Sequence, residues 1–206
     1  MVLDMAHWTK WTALVATASL LALVPVKAQE PTPAGRSVAF DAGLGYSYTR
    51  MNIPGSGKIA MIGPEGTFTG DFLSRFGFRL DFAYQRAHDV LGSGRTNDAM
   101  TYLGGPIFYV IRKRHTVLYL QGLFGGAKLS GVNRWQYGGY LTGFVNKPAW
   151  SYGVGAQRAI TPSISLRLGA DYLHATFFDQ TAAVRSSGNL QASLTCVYSF
   201  GGGHRR

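Results

Sequence analysis

The sequence predicts an all-β chain: an eight-stranded antiparallel barrel that crosses a membrane with its strands, behind a cleaved N-terminal signal peptide. Three observations carry this. Glycine supplies 27 of the 206 residues, near twice ordinary usage, and aromatics supply 13%. Charged residues are only 15% of the chain, well below the usual quarter. From residue 38 onward the dominant hydrophobic period is two, the period of a strand with unlike faces. This composition excludes disorder, which lacks aromatics and carries many charges. It excludes long helices, where glycine is costly, and collagen, because the glycines have no three-residue period.

The chain divides into four parts. Residues 1–28 read as a signal peptide. Thr12 to Val26 is apolar or small and uncharged, Lys10 precedes it, and Val26-Lys27-Ala28 places small residues at −3 and −1 of a cut after Ala28. The run of about 15 residues is short of the roughly 20 that span a bilayer as a helix. Its removal takes away Lys10, Lys27 and Asp4 and lowers the formal charge from +10 to +9. Residues 29–36 form a short periplasmic lead-in, 37–200 the barrel, and 201–206 a periplasmic tail. Every later apolar stretch is broken by Gly or a charge, so an exported chain of this kind either folds as a soluble β-domain or closes in the membrane.

The strands follow in order. In the first, 37–50, Val38, Phe40, Ala42, Leu44, Tyr46 and Tyr48 oppose Ala39, Asp41, Gly43, Gly45, Ser47 and Thr49. The second covers 57–73. In the third, 76–88, Phe76, Phe78, Leu80, Phe82 and Tyr84 oppose Gly77, Arg79, Asp81, Ala83 and Gln85. The fourth, 99–112, carries Pro106, which cannot donate to a ladder and predicts a bulge or break there. The fifth, 115–128, is apolar on both faces. The sixth, 144–160, alternates through Trp150, Tyr152, Val154 and Ala156. The seventh, 163–177, sets Ile164, Leu166, Leu168, Ala170 and Tyr172 against Ser165, Arg167, Gly169 and Asp171. The eighth, 187–200, ends on Tyr198-Ser199-Phe200. The second, fourth and sixth connections are tight (Ser74-Arg75, Lys113-Arg114 and Thr161-Pro162), and the others are predicted to be longer. Short turns alternating with long loops mark a membrane barrel with both termini on the periplasmic side.

The two faces decide the solvent. One is bulky and apolar. The other is Gly, Ala, Ser and Thr with a few charges, which suits a narrow lumen filled by its own side chains. Aromatics gather near both strand ends, as two interfacial girdles would. Asp41, Arg79, Asp81, Arg167 and Asp171 fall on the small-residue face, joined by Glu65 and Asp71 in the favoured register of the second strand. In a lumen these charges lose water and must pair. A salt-bridge network plugging the barrel and a gated ion path are the two readings; the plug is preferred because eight strands leave little room.

At the other surface, Arg95, Arg134, Trp135, Tyr137, Lys147 and Arg185 fall in or beside the external loops. Basic and aromatic residues there suit lipopolysaccharide phosphates or another surface ligand. The basic residues are dispersed rather than clustered, which argues against nucleic acid as a partner. Cys196 has no partner for a disulfide or a metal site. No cofactor or metal is expected, and the chain is expected to be a monomer and not an enzyme. One catalytic alternative stays open, in His174-Ala175-Thr176 with Asp179; a narrow pore is the other.

Phe40-Asp41-Ala42-Gly43-Leu44-Gly45-Tyr46, Leu103-Gly104-Gly105-Pro106 and the closing run from Leu166 to Phe200 resemble the small outer-membrane β-barrel proteins of Gram-negative bacteria. The group lies around the transmembrane domain of outer membrane protein A and the OmpX/Ail-type barrels. The resemblance implies residence in the bacterial outer membrane and a structural or surface-interaction role. It also implies that Tyr198 and Phe200 act as the signal read by the barrel assembly machinery. A few small barrels of this membrane hydrolyse lipid A, the activity that the His174 alternative would imply.

Overall fold

A computed structural model describes residues 39–53, 57–113, 115–134, 140–175 and 188–200. The predicted signal peptide, lead-in and tail lie outside these residues. Eight strands form one closed sheet: β1 (Ala39–Ile53), β2 (Gly57–Asp71), β3 (Phe76–Ala87), β4 (Asn97–Arg112), β5 (Thr116–Arg134), β6 (Tyr140–Ala159), β7 (Ile164–Ala175) and β8 (Gly188–Phe200). Each pairs antiparallel with its sequence neighbour, and β8 closes on β1 from Phe40↔Phe200 to Arg50↔Leu190. Closure removes both sheet edges, which a strand protein in lipid requires.

The stagger follows from the pairings. From Ala39 the ladder runs through Asp71, Gly77, Ile107, Gln121, Gly153, Asp171 and Gln191, and returns to β1 at Thr49, ten residues further on. That stagger tilts the strands and sets a bore that side chains fill.

Alternation survives closure. Leu44, Tyr46, Phe78, Phe82, Phe124, Tyr152, Leu168 and Leu194 are exposed on the outer wall, and their odd-numbered neighbours turn inward. The apolar residues on both faces of β5 resolve the same way: Leu118, Leu120 and Phe124 face out, while Val117, Tyr119 and Leu123 are buried. Rings stack at both ends of the wall. Phe40 lies 5.7 Å from Phe68 and 6.0 Å from Phe200 at one end, and Tyr152 lies 5.3 Å from Tyr172 at the other.

The bulge or break expected at Pro106 takes the form of a local break: Gly105 and Pro106 have no partner on β5, while the register is unchanged from Gly104↔Phe124 to Ile107↔Gln121 and the shift comes between Tyr109 and Ile111. Pro106 sits on the outer face, where its ring meets lipid. Two other expectations need correction. The first connection is not long, since β1 ends at Ile53 and β2 begins at Gly57. The predicted loop from 129 to 143 is mostly strand. β5 and β6 stay paired out to Arg134↔Tyr140, whereas β4 leaves β5 at Asp98↔Ser130 and β7 leaves β6 at Ala149↔Ala175. The hairpin therefore projects past its neighbours.

Its base is pinned by Asn97, whose side-chain amide takes the place of a missing ladder residue. Nδ2 donates to the Val132 carbonyl at 3.0 Å, and Oδ1 accepts from the Val132 N–H at 2.6 Å. Gly131 beside it has φ +148°, and a Cβ there would strike the Asn97 side chain. Only glycine suits the position.

Candidate functional site: a two-level lumen

The lumen has two levels of different chemistry. The lower level, at the end holding the tight turns, is polar and charged. Arg167 on β7 is 3% exposed; its Nη2 lies 3.4 Å from Asp41 Oδ2 on β1, Nη1 donates to Thr67 at 3.2 Å, and Nε and Nη2 donate to Gln157 Oε1 at 3.1 and 2.8 Å. Arg79 on β3, 2% exposed, donates to Thr69 Oγ1 at 3.2 Å and to Gln121 Oε1. Gln121 in turn donates to Asp171 Oδ1 at 2.5 Å. Both guanidinium groups address the Tyr119 ring, at 4.4 Å for Arg79 and 6.0 Å for Arg167. Gly155 makes room for that ring, which a Cβ would strike. Each arginine thus exchanges water for several fixed acceptors and a π-face, which is what allows a charge to be buried.

Glu65 and Asp81 are also buried here. Asp81 lies in the fields of Glu65, Arg79, Asp171 and Arg167. Asp71 stands lowest. It accepts from the Tyr109 hydroxyl and pairs with Arg112, which also donates to the Ser74 carbonyl at 3.1 Å. Arg112 and the Tyr109 ring, 4.5 Å apart, close this end.

The upper level is an apolar core. Met51, Ile59, Met61, Ala87, Ala99, Leu103, Leu123, Ala127, Leu129, Ala149, Leu173 and Ala175 form one buried cluster. Val90 completes it from above: the connection 88–96 folds back through a short 3-10 turn, Val90–Gly92, and drops this side chain into the mouth at 1% exposure. Asp89 holds the fold-back by accepting from the Gly94 N–H at 2.8 Å. An inner face made throughout of small and polar residues was expected. In the upper level large apolar side chains, such as Met51, Met61, Leu123 and Leu173, stand among the expected alanines.

All seven predicted lumen charges lie in the lower level, but not as one chain of ion pairs. Neutral groups mediate most of it. Gln121, Gln157, Tyr109, Tyr119 and Arg112 were not anticipated, although β5 parity places 117, 119, 121 and 123 on one face. Of the predicted external contacts, Arg95 and Lys147 are exposed, on the connection 88–96 and on β6. The Arg134 side chain, Trp135, Tyr137 and Arg185 lie outside the described residues. Tyr198 and Phe200 are exposed on the outer wall of β8, with ring centroids 6.2 Å apart. His174 also turns outward and stacks on Trp150 at 4.6 Å; Thr176 and Asp179 lie outside the described residues. Among the described residues no group of acids, histidines and cysteine is arranged to hold a metal.

A closed antiparallel barrel with an apolar, aromatic-banded wall and an occupied lumen is a bacterial outer-membrane barrel. The chain belongs to the family described as outer membrane protein beta-barrel domain, whose model matches residues 15–200. Among solved structures it is similar to Ail, the attachment invasion locus protein of Yersinia pestis. The identity is 17%, over 81% of this chain and 100% of that one, with a TM-score of 0.56. A second Ail structure, in complex with the heparin analogue sucrose octasulfate, matches at 18% identity, 80% and 99% coverage and a TM-score of 0.56. Neisserial surface protein A matches at 14% identity, 79% and 99% coverage and a TM-score of 0.57. A search of curated proteins finds no match. The protein resides in the bacterial outer membrane.

Proposed function

We propose that this protein is a plugged, non-catalytic barrel that acts through its external surface rather than by passing solute. The filling of the lumen at two independent levels carries the reading. An ion crossing it must displace both the Arg79–Gln121–Asp171 and Arg167–Asp41 contacts and the apolar tier of Met51, Met61, Leu123 and Leu173. The protein acts as a monomer without a cofactor, and its terminal aromatics Tyr198 and Phe200 guide assembly.

Purified protein in planar bilayers is expected to show no steady single-channel conductance. Stable ohmic steps that vanish on heat denaturation would make the pore reading correct. The hydrolase reading is disfavoured because it would rest on threonine where serine is the better nucleophile, and the His174 ring stacks on Trp150 as an interfacial aromatic does. At the external end, Arg95 and Lys147 offer contacts for lipopolysaccharide or another polyanion. The Ail complex makes sucrose octasulfate a suitable probe, and its binding should be lost in R95E/K147E.

A further inference from the structure

The outer wall carries an unbalanced charge at one depth. On β1 the outward side chains run Tyr46, Tyr48, Arg50 toward the external end, so Arg50 stands about 6–7 Å along the strand beyond the aromatic belt. On β2 the outward residues there are Lys58, Ala60 and Ile62. Arg50 pairs with Ala60, which makes Lys58 its diagonal neighbour on the same face, about 7–8 Å away. Both are exposed, and the small Ala60 leaves the space between them open.

The acids among the described residues are committed elsewhere. Asp41, Glu65, Asp71, Asp81 and Asp171 are turned into the lumen, and Asp89 caps the connection 88–96. On the outer wall, Asp98 is taken by Arg86, with Nε to Oδ1 at 2.6 Å, and Arg86 also reaches the Tyr84 hydroxyl at 2.9 Å. The cation of β3 is thereby neutralised by β4, while Arg50 and Lys58 have no ion-pair partner among the described residues.

We propose that Arg50 and Lys58 form a clasp for a phosphate on the headgroup of an outer-leaflet lipid. Three features support that ligand. The pair lies just outside the tyrosines of β1, which place it at headgroup depth. Two long side chains rooted about 7–8 Å apart can bring a guanidinium and an ammonium to one tetrahedral anion, the arginine offering paired donors and the lysine a point charge. The lipid's acyl chains would lie along Tyr48, Tyr46 and Leu44, which are exposed in sequence down the same face. The clasp uses neither Arg95 nor Lys147, so its failure and the failure of the loop reading are separable.

The test is unfolding of the full barrel in phosphatidylcholine vesicles with and without lipid A, read by the heat-dependent gel shift. Lipid A is expected to raise the midpoint by about 2–4 °C, a shift that corresponds to roughly one kcal/mol in a chain of this size. The rise should be lost in R50A/K58A, kept in R50K/K58R, and kept in R95E/K147E. It should also fall when about 0.5 M salt screens the exposed pair, a measurement on the wild type that does not depend on any variant folding. A full rise in R50A/K58A, or no effect of salt, overturns the proposal. An equal rise from inorganic phosphate in vesicles without lipid A would assign the pair to free anions and overturn the lipid assignment. Loss of the rise in R95E/K147E alone would move the lipid contact to the loops.

Discussion

The two levels of the lumen solve one problem by opposite means. Both must fill the bore of an eight-stranded barrel with side chains that point inward at every second residue. The lower level fills it with charges held by neutral partners, and the upper level with thioethers and branched aliphatics that need none. A charge taken out of water costs several kcal/mol before its partners compensate, so the lower level is sensitive to the loss of any one partner. The upper level is sensitive only to lost volume. The first arrangement is therefore brittle to chemistry and the second to shape.

The largest expected effect breaks the lower level. Arg167→Ala leaves the buried Asp41 without its cation and Gln157 without two of its donors. The expected cost is about 3–5 kcal/mol, read as a lower unfolding midpoint in the gel-shift assay. Arg167→Met fills the space but should not restore stability, whereas R167M/D41L should recover most of it, because the stranded charge is gone. If Arg167→Met alone recovered stability, volume rather than charge would govern this level too.

The upper level should respond in the reverse way. Met61 is 0% exposed among Met51, Leu129 and Leu173. Met61→Ala is expected to cost about 2–5 kcal/mol through the cavity it opens. Met61→Leu conserves volume and should cost less than about 1.5 kcal/mol. A Met61→Ala protein as stable as wild type would show that the fold-back carrying Val90 settles into the gap. Its planar-bilayer conductance would then tell whether the apolar tier is needed for the seal.

Legibility in the sequence follows the same division. The strands and their inward parity could be read because a lipid-facing residue and a charged or glycine residue alternate, as from Phe40 to Tyr48 or from Ile164 to Tyr172. Asp41, Arg79, Asp81, Arg167 and Asp171 were placed in the lumen by parity alone. The upper level was hidden because both of its faces are apolar. Met61 inside and Ile62 outside, or Leu173 inside and Tyr172 outside, carry no contrast that a period of two can reveal. Pairing was hidden for a different reason. Arg167 meets Asp41 only because β8 lies between β7 and β1 after closure, a separation of 126 residues that no local pattern records. The projecting hairpin is rich in Gly, Ser, Asn and charge, the composition of a loop; Asn97 supplies the missing ladder bonds that let β5 continue past Gly131.

The smallest expected effect sharpens the comparison within the lower level. Its acids do not stand in equal positions. Asp41 faces Arg167 directly, and Asp71 has Arg112 and the Tyr109 hydroxyl. Glu65 has no ion pair among the described residues: Oε1 accepts from Thr195 at 3.5 Å, and it lies in the field of both Asp81 and Asp171. Removing its charge relieves repulsion without stranding a cation, because Arg79 keeps Thr69, Gln121 and the Tyr119 face. Glu65→Gln is therefore expected to raise the unfolding midpoint slightly, by an amount equivalent to about 0.5–1 kcal/mol, while Asp41→Asn lowers it. If Glu65→Gln instead lowered stability as much as Asp41→Asn does, Glu65 would be a full partner of the arginines. The lower level would then act as a single charge-balanced unit rather than two paired ends around a crowded centre.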